Sequence, residues 1–361
     1  MNERRILVTG GAGFIGVRTV WQLAQRAQTK IWVLDSLHPQ VHGEGATPPN
    51  FSENVTFVKG DVCDRPLVHQ LLTLAQPTLV IHMAAETGRS MDRMERHCRV
   101  NVTGTAILLE EITQTKAPLQ KFILMSSRAV YGEGAYWDAT HRQSIVPPPR
   151  QAKDMAAGRF EHRIKSRKLS PAPTPEGTPP APASIHASTK LMQEHLVQQA
   201  GVQQPWNAIT FRLQNVYGPG QSLKRPNQGV LSTFSSQILA GQRLNIYEDG
   251  QARRDFVFID DAVKAIALAC DIELPHGTIF NIGSGQGTPI LEVARMLLRL
   301  YGKSPDAYTI TGDFRAGDVR YAVADIQRAQ QLLNWRPQVS LAQGLTQLTD
   351  TYRQAAVTTI T

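Results

Sequence analysis

The 361-residue sequence is poor in cysteine and has no long hydrophobic run. Its three cysteines (Cys63, Cys98 and Cys270) are far apart and lack metal-ligand spacing, which fits a reducing compartment. No uninterrupted apolar run approaches the roughly 20 residues that a membrane helix needs. The first ten residues lead straight into a strand-like run without signal-peptide features. We therefore expect a cytoplasmic protein with no metal site and no membrane partner.

Charge is limited and unevenly distributed. Charged residues make up 19% and hydrophobic residues 42% of the chain, which excludes a disordered or fibrous protein. Most of the net charge of +8 comes from one segment between Arg142 and Lys168, where eight Lys/Arg oppose two acids. No nucleic-acid motif accompanies it, so we expect no nucleic-acid partner. We interpret the segment as a solvated basic loop, with attraction of a diphosphate-bearing ligand as the alternative.

The length leaves room for about two domains at roughly 150 residues each. Short apolar runs alternate with helix-length segments in the first half, which predicts βαβ units in a Rossmann-type doubly wound parallel sheet of the α/β class. The Pro-rich stretch 144–183 breaks this pattern and predicts a loop insertion that serves as a lid or substrate loop. The expected organisation is an NAD-binding domain at 1–212 and 252–284, with an insertion at 134–183, and a smaller α/β substrate lobe at 213–251 and 285–361.

A glycine-rich turn directly follows the first predicted strand. Gly10, Gly13 and Gly16 have the spacing G-x-x-G-x-x-G, and Phe14 and Ile15 open the helix that follows. Residues without a Cβ allow a tight turn, close approach of a pyrophosphate and packing of the helix on the strand. The helix N-terminus then faces the phosphates, so the turn predicts a dinucleotide site.

Asp35 ends the second predicted strand, nearly at the distance expected for a ribose-binding carboxylate. It would bind both adenosine ribose hydroxyls and repel a 2′-phosphate, and no arginine follows it closely, which favours NAD over NADP. For His82, at the end of the fourth strand, a core histidine and a functional one are equal alternatives. Further residues expected along the cofactor are Ser36, Asp61, Val62, Ala84 and Ala85.

Several motifs recur together along essentially the whole chain. They are the glycine turn, Asp-Val at 61–62, His-x-Ala-Ala at 82–85, Asn-x-x-Gly-Thr at 101–105, Ser-Ser-x-x-Val-Tyr-Gly at 126–132, and the segments 212–221, 254–257 and 315–318. This set resembles the extended short-chain dehydrogenase/reductase family, in its nucleotide-sugar epimerase/dehydratase branch. The segments 35–43, 132–136, 214–223 and 248–250 and the long insertion are similar to the dTDP-L-rhamnose 4-epimerases of that branch.

The resemblance implies a cofactor, a substrate and roles for residues. NAD would be the cofactor, a nucleoside-diphosphate sugar the substrate, and a homodimer the assembly. Ser127 would hydrogen-bond the sugar oxygen at the reacting carbon, while Lys190 would bind the nicotinamide ribose and lower the pKa of the acid/base. The implied substrate-binding residues are Glu86, Ser127, Arg128, Asn215, Gln221, Tyr247, Arg254, Arg315 and Asp318.

The sequence departs from the family at the catalytic tyrosine. The family has Tyr-x-x-x-Lys on one helix face, whereas here His186 stands four residues before Lys190. A neutral imidazole can accept a hydroxyl proton. Its ring is shorter than a phenol, so we expect a bridging water between the ring and the sugar. Glu133, Tyr131 and Tyr136 are alternative bases.

The leading prediction is an NAD-dependent epimerase acting at C4 of a dTDP-6-deoxyhexose through a transient 4-keto sugar, with Ser127, His186 and Lys190 as catalytic residues. The alternatives are an oxidoreductase or epimerase acting at another carbon, and a non-catalytic binding protein. Dehydratases of the family carry acidic residues directly after the catalytic Ser/Thr. Here Arg128 and Ala129 follow Ser127, which argues against dehydration.

Overall fold

The computed structural model describes residues 3–88, 93–164, 167–223, 229–315 and 317–358; Lys165 of the basic segment and Met1 lie outside them. The strands are β1 (Arg4–Thr9), β2 (Thr29–Asp35), β3 (Val55–Lys59), β4 (Leu79–His82), β5 (Lys121–Ser127), β6 (Tyr136–Asp138), β7 (Gln143–Ile145), β8 (Arg163–Ile164), β9 (Arg167–Lys168), β10 (Ser170–Pro171), β11 (Asn207–Leu213), β12 (Asn215–Tyr217), β13 (Leu244–Ile246), β14 (Arg253–Phe258), β15 (Thr278–Ile282), β16 (Gly287–Pro289), β17 (Tyr308–Ile310) and β18 (Tyr321–Ala322).

The helices of the described residues include one π-helical stretch, Cys98–Thr103, directly before α5, and one 3₁₀ turn, Arg128–Tyr131. The α-helices are α1 (Phe14–Ala24), α2 (Pro39–His42), α3 (Arg65–Ala75), α4 (Met94–His97), α5 (Gly104–Gln114), α6 (Ala152–Ala156), α7 (Ile185–Val202), α8 (Val230–Leu239), α9 (Ile259–Asp271), α10 (Ile290–Leu300), α11 (Gln327–Leu332) and α12 (Leu341–Thr358). Across the described ranges, none of these helices has the length and apolarity needed to cross a membrane.

Within the described residues, seven parallel strands form one sheet in the order β15–β11–β5–β4–β1–β2–β3. Side chains of a strand alternate between the two faces, and here helices cover both. Ile6 and Val8 of β1 pack on the side of α1, α9 and α11, while Leu7 packs on the side of α3, α5 and α7. Burial on both faces explains why the strands are nearly continuous apolar runs, and the predicted Rossmann-type α/β fold is confirmed.

A smaller group of elements lies beyond the sheet. Strands β12, β14 and β16 form a second sheet, with β18 also paired to β14. Helices α8, α10 and α12 bury a separate apolar cluster with β13 and β14, in which Phe234, Leu297 and Leu348 are nearly inaccessible. The exact division of the chain into an NAD-binding domain and a substrate lobe stays a prediction.

The insertion has more structure than the sequence predicted. Strand β6 pairs with β7 and with β10, and β8 pairs with β9. The expectation of a plain loop is wrong because these strands are only two or three residues long and leave no periodic pattern. The expected solvation of the basic segment holds for the exposed Arg142 and Arg159 but not for Arg150, whose side chain is only 4% exposed.

Candidate active site

The glycine turn at the start of α1 packs closely against the neighbouring backbone. Gly10 has φ +70°, and a Cβ there would lie 2.6 Å from the Ala84 amide nitrogen at the end of β4. A Cβ on Gly16 would overlap the Gly10 carbonyl oxygen. Helix α1 begins at Phe14 and Gly13 supplies no capping side chain, so its first amides have no side-chain partner there. This geometry fits the pyrophosphate of a dinucleotide.

Asp35 lies at the carboxyl end of β2 beside this turn and is 8% exposed. Its carboxylate accepts hydrogen bonds from the Ala12 amide at 3.0 Å and the Leu37 amide at 2.9 Å. His42 Nε2 lies 3.4 Å from the same carboxylate. The turn and Asp35 are therefore held together by direct bonds, in an arrangement that fits NAD.

Most of the other predicted cofactor residues lie just beyond the ends of β2, β3 and β4, whereas Phe14 and Ile15 open α1. The Asp61 carboxylate accepts a hydrogen bond from the Cys63 amide at 2.9 Å. The Ala84 amide donates to Thr9 Oγ1 at 3.3 Å. Val62 is buried against Gly104. The remaining predicted cofactor residues, all partly buried, are Ser36, Ala85, Phe14 and Ile15.

His82 is a buried core histidine. Its Nδ1 lies 2.6 Å from Thr9 Oγ1 and its Nε2 lies 2.8 Å from Thr105 Oγ1. Burial, reinforced by the charge of Lys190, lowers the pKa of His82 to about 3. The neutral ring thus connects β1, β4 and α5, which settles the two alternatives left by the sequence in favour of a structural role.

Lys190 projects from α7 against β5. Its Nζ donates a hydrogen bond to the Met125 carbonyl at 2.8 Å, and Met125 lies two residues before Ser127 on the same strand. Burial lowers the pKa of Lys190 to about 8, although the nearby Glu194 carboxylate favours the charged form. The three predicted catalytic residues thus lie on two directly packed elements, Ser127 on β5 and His186 and Lys190 on α7.

His186 lies one turn before Lys190 on α7 and is partly buried. The ring of His97, on α4, packs edge-on against the His186 ring with centroids 5.9 Å apart. His97 is 1% exposed, and burial lowers its pKa. The neighbouring π-helical stretch is held to α7 by a 3.0 Å hydrogen bond from Asn101 to Thr189. Sequence reasoning missed His97, although it lies just four residues before the Asn101 motif.

The three alternative bases are all buried, and their surroundings shift their pKa values away from neutral pH. The Tyr131 hydroxyl donates to Asn281 at 2.8 Å, and burial raises its pKa to about 12. Burial also raises the pKa of Tyr136, whose hydroxyl has no hydrogen-bond partner among the described residues. Burial opposes ionisation of Glu133, but His162 and other donors hold its pKa below the usual range. None of these environments favours a base that works near neutral pH.

Ser127, Arg128 and Glu86 each have contacts within the chain. Ser127 Oγ accepts a hydrogen bond from the Ala129 amide at 3.2 Å and so caps the 3₁₀ turn. The Arg128 guanidinium donates to the Gly132 carbonyl at 2.7 Å. The Glu86 carboxylate, 7% exposed, accepts from Arg96 Nε at 2.6 Å.

Tyr247 and Arg315, two predicted nucleotide-binding residues, lie together. The Arg315 guanidinium carbon lies 4.8 Å from the Tyr247 ring centroid, and the ring is 38% exposed. The Asp318 amide donates to the Arg315 carbonyl at 3.1 Å. This stacked pair offers a flat, positively charged surface of the kind that binds a base and phosphates.

Two further predicted substrate residues, Asn215 and Arg254, lie on the paired strands β12 and β14, and Gln221 follows β12 in the chain. Asn215 Nδ2 donates to the Asp255 carbonyl at 2.9 Å, and Arg254 Nη1 donates to the Arg253 carbonyl at 2.9 Å. The Gln221 amide donates to the Gly218 carbonyl at 3.2 Å.

A buried ion pair also anchors α7. Glu194, one turn after Lys190, contacts Arg212 of β11 at 2.6 Å, with both side chains 4% exposed. The Ser126 hydroxyl donates to the same Glu194 carboxylate. No role was predicted for these residues, although the spacing of four residues from Lys190 places Glu194 on the same helix face.

Comparison with known proteins gives consistent matches over most of the chain. The profile of the NAD dependent epimerase/dehydratase family matches residues 6–153 and 165–283. A dTDP-L-rhamnose 4-epimerase of Burkholderia thailandensis is 39% identical over 350 residues, covering 96% of this chain and 94% of that protein. The UDP-glucose 4-epimerase of Thermotoga maritima, solved with UDP-glucose, has a TM-score of 0.78 at 28% identity, covering 99% of this chain and 100% of that one. The UDP-glucose 4-epimerase of Thermus thermophilus, solved with NAD, has a TM-score of 0.74 at 26% identity, covering 97% and 99%.

These matches confirm the resemblance inferred from the motifs, the Rossmann-like fold and the use of NAD. The chain belongs to the NAD dependent epimerase/dehydratase family and is an enzyme of the nucleotide-sugar epimerase kind.

Proposed function

We propose that this protein is an NAD-dependent epimerase that acts at C4 of a dTDP-linked 6-deoxyhexose. The observation that carries the proposal is the packing of α7, with His186 and Lys190 one turn apart, against β5, which ends at Ser127. The name of the 39% identical relative, dTDP-L-rhamnose 4-epimerase, supports the choice of substrate and carbon.

The chain's own residues would orient the sugar and move its proton. His186 would take the proton of the C4 hydroxyl, directly or through a water, because a neutral imidazole nitrogen is a proton acceptor. Ser127 would hydrogen-bond the same oxygen and stabilise the charge that develops on it. Lys190 would bind the nicotinamide ribose and raise the positive potential around the reacting oxygen.

The glycine turn at the start of α1, together with Asp35, would hold NAD. When bound, NAD supplies a hydride acceptor and donor beside the sugar carbon. The Asp35 carboxylate would repel a 2′-phosphate, so we propose selectivity for NAD over its phosphorylated form. The stacked Tyr247 and Arg315 would hold the nucleotide half of the substrate, with Asn215, Arg254 and Asp318 nearby in the chain's smaller group of elements.

The test is to incubate the purified protein with dTDP-L-rhamnose and follow the sugar by NMR. We expect the C4 epimer to appear with no net change in NAD. His186→Ala and Ser127→Ala should each lower kcat by about 100-fold or more, the range for loss of a proton-transfer or oxyanion group. His69→Ala, in a histidine whose side chain is 51% exposed on α3, is the matched control.

The His186→Tyr variant tests whether the histidine is suited to the native reaction or limits its turnover. We expect turnover to fall, because the His97 ring already packs against the residue 186 ring and a longer phenol would have to displace it. A sharp rise in turnover would show instead that base chemistry limits the native protein. Failure to interconvert any C4 epimers would overturn the proposal. Stoichiometric NADH formation would then indicate a one-way oxidoreductase, and binding without turnover would indicate a non-catalytic protein.

We also propose a cytoplasmic homodimer. A surface cavity of about 400 Å³ lies along α7, and Met192 within it is 48% exposed. Its lining is mostly apolar and consists of Pro182, Ser188, Leu191, Met192, His195 and Leu196. Val197, on the same helix, is fully buried in the core and contributes nothing to this surface.

A further inference from the structure

A cluster of charged side chains joins the insertion to the rest of the protein, and we refer to it as the ionic cluster. The side chains of Arg150, Glu248 and Arg320 are 4%, 6% and 5% exposed, respectively. Burial of charge costs several kcal/mol per ion unless partners compensate it. The members come from three separate parts of the chain and are Glu133, Arg150, Glu161, His162, Glu248, Asp249 and Arg320.

Arg150, in the insertion, connects two loops at once. Its Nη1 and Nη2 donate to the two carboxylate oxygens of Glu248, each at 2.8 Å. The same Nη2 donates to the Asp318 carbonyl at 2.7 Å, and Nη1 also donates to the Phe160 carbonyl at 3.1 Å. A planar guanidinium can satisfy this fork of acceptors, whereas an ammonium cannot reproduce its geometry.

Arg320 completes the connection from the other side. It donates to Glu161 of the insertion at 2.6 Å, to Asp249 at 2.8 Å and to Glu248 at 3.0 Å. Burial opposes the charge of Arg320, but its bonds to Asp249 and Glu161 raise its pKa above the usual range. Glu248 is therefore held between two buried guanidinium groups, those of Arg150 in the insertion and Arg320 outside it.

The two loops joined by Arg150 carry the stacked nucleotide-binding pair. Glu248 directly follows Tyr247, and Asp318 lies three residues after Arg315. The Arg315 guanidinium carbon lies 4.8 Å from the Tyr247 ring centroid. Arg150 therefore bonds to both backbone segments that carry the stack.

We propose that Arg150 is a positioning residue for the nucleotide half of the substrate: by bonding Glu248 and Asp318 together, it holds Tyr247 and Arg315 at the distance at which they bind the nucleoside diphosphate. The proposal rests on the proposed function in assigning a nucleoside-diphosphate ligand to that pair. The insertion then supports nucleotide binding. It makes no contribution to the catalytic step, because the catalytic residues lie on other elements, α7 and β5.

The test measures nucleotide binding apart from turnover. Dissociation constants for dTDP and UDP are measured by calorimetry on the NAD-loaded protein, alongside KM, kcat and the melting temperature. We expect Arg150→Gln to weaken binding of the preferred nucleotide and raise KM by about tenfold, equivalent to about 1.4 kcal/mol, with kcat nearly unchanged. Arg150→Lys should restore only part of the loss, because it cannot make the forked contact.

The matched control is Arg159→Gln, in the same insertion, where the ion pair with Asp154 is exposed; it should leave both constants unchanged. If Arg150→Gln does not fold, Arg150→Lys and Glu248→Gln provide the same comparison. A lower melting temperature with unchanged dTDP and UDP affinity would overturn the proposal and leave a purely structural cluster. Because binding is read without turnover, weaker binding in a protein with no epimerase activity would refute the proposed reaction while supporting this role of Arg150.

Discussion

The ammonium group of Lys190 is buried against a backbone carbonyl of β5 rather than against a carboxylate. Most lysines stay charged well above neutral pH, but burial brings the pKa of this one down to about 8. Lys190 therefore gains or loses its charge close to physiological pH. The proposed contact with the ribose requires the charged form.

We predict that kcat/KM falls as pH rises through about 8, where Lys190 loses its proton. A cationic nicotinamide nearby would lower this pKa further, so the fall should begin no higher than that. Lys190→Arg should have lower activity overall but no such fall, since a guanidinium stays protonated. A wild-type profile that is flat between roughly pH 7 and 10 would contradict this assignment.

At the scale of single residues, the sequence predicts conformation best where it depends on local chain geometry. The glycine turn and Asp35 were predictable because neighbouring residues dictate their shape. His97 and Arg150 were not, because their partners lie far along the chain: Arg150 and Glu248 are 98 residues apart. Proximity of that kind is set by the fold, and a single sequence carries no direct sign of it.

Helix α7 has two anchors at the level of secondary structure. The Asn101 side chain binds Thr189 on one turn, and Arg212 binds Glu194 on a later turn. The helix begins at Ile185, where the Ser184 side chain accepts a hydrogen bond from the Ala187 amide.

We predict that Glu194→Gln destabilises the protein by about 3–5 kcal/mol, because Arg212 is then left buried without a carboxylate. Urea denaturation measures the loss. The control is Asp154→Asn, in an exposed pair with Arg159 whose side chains are 41% and 54% exposed, and it should cost less than about 1 kcal/mol. Equal effects of the two substitutions would show that the α7 pair is not a structural anchor.

The elements of the sheet were predicted well and those of the insertion poorly, for a physical reason. Strands buried on both faces must be apolar throughout, so each is recognisable from its own residues. The strands of the insertion have two or three residues and are defined only by pairing, as when Ser170 meets Trp137 across 33 residues. Pairing of this kind cannot be deduced from composition.

The α7 surface bears on the assembly of the whole molecule. The side chains around the cavity are partly buried or exposed within a single chain, and Met192 projects from the helix with 48% of its surface exposed. Apolar side chains grouped on one helix face are typical of protein–protein contacts. A second copy of the chain, packed helix to helix, would cover them.

We predict that the wild-type protein sediments as a dimer and that Met192→Glu shifts it towards monomer, because a carboxylate would be desolvated in the contact. Leu74→Glu is the matched control, since Leu74 is 72% exposed on α3, which contributes no residue to the lining of this cavity, and its substitution should leave the oligomeric state unchanged. A monomeric wild type would refute the proposed dimer, and a dimer unaffected by Met192→Glu would show that the contact lies elsewhere.

The ionic cluster also limits how the insertion can be exchanged between relatives. Arg150 and Glu161 are matched to Glu248, Asp249 and Arg320, which lie far away in the chain. A chimera that transplants residues 134–183 alone would leave charged side chains buried without their partners. Engineers who wish to graft this segment must move the acceptor carboxylates and Arg320 with it, as a single discontinuous module.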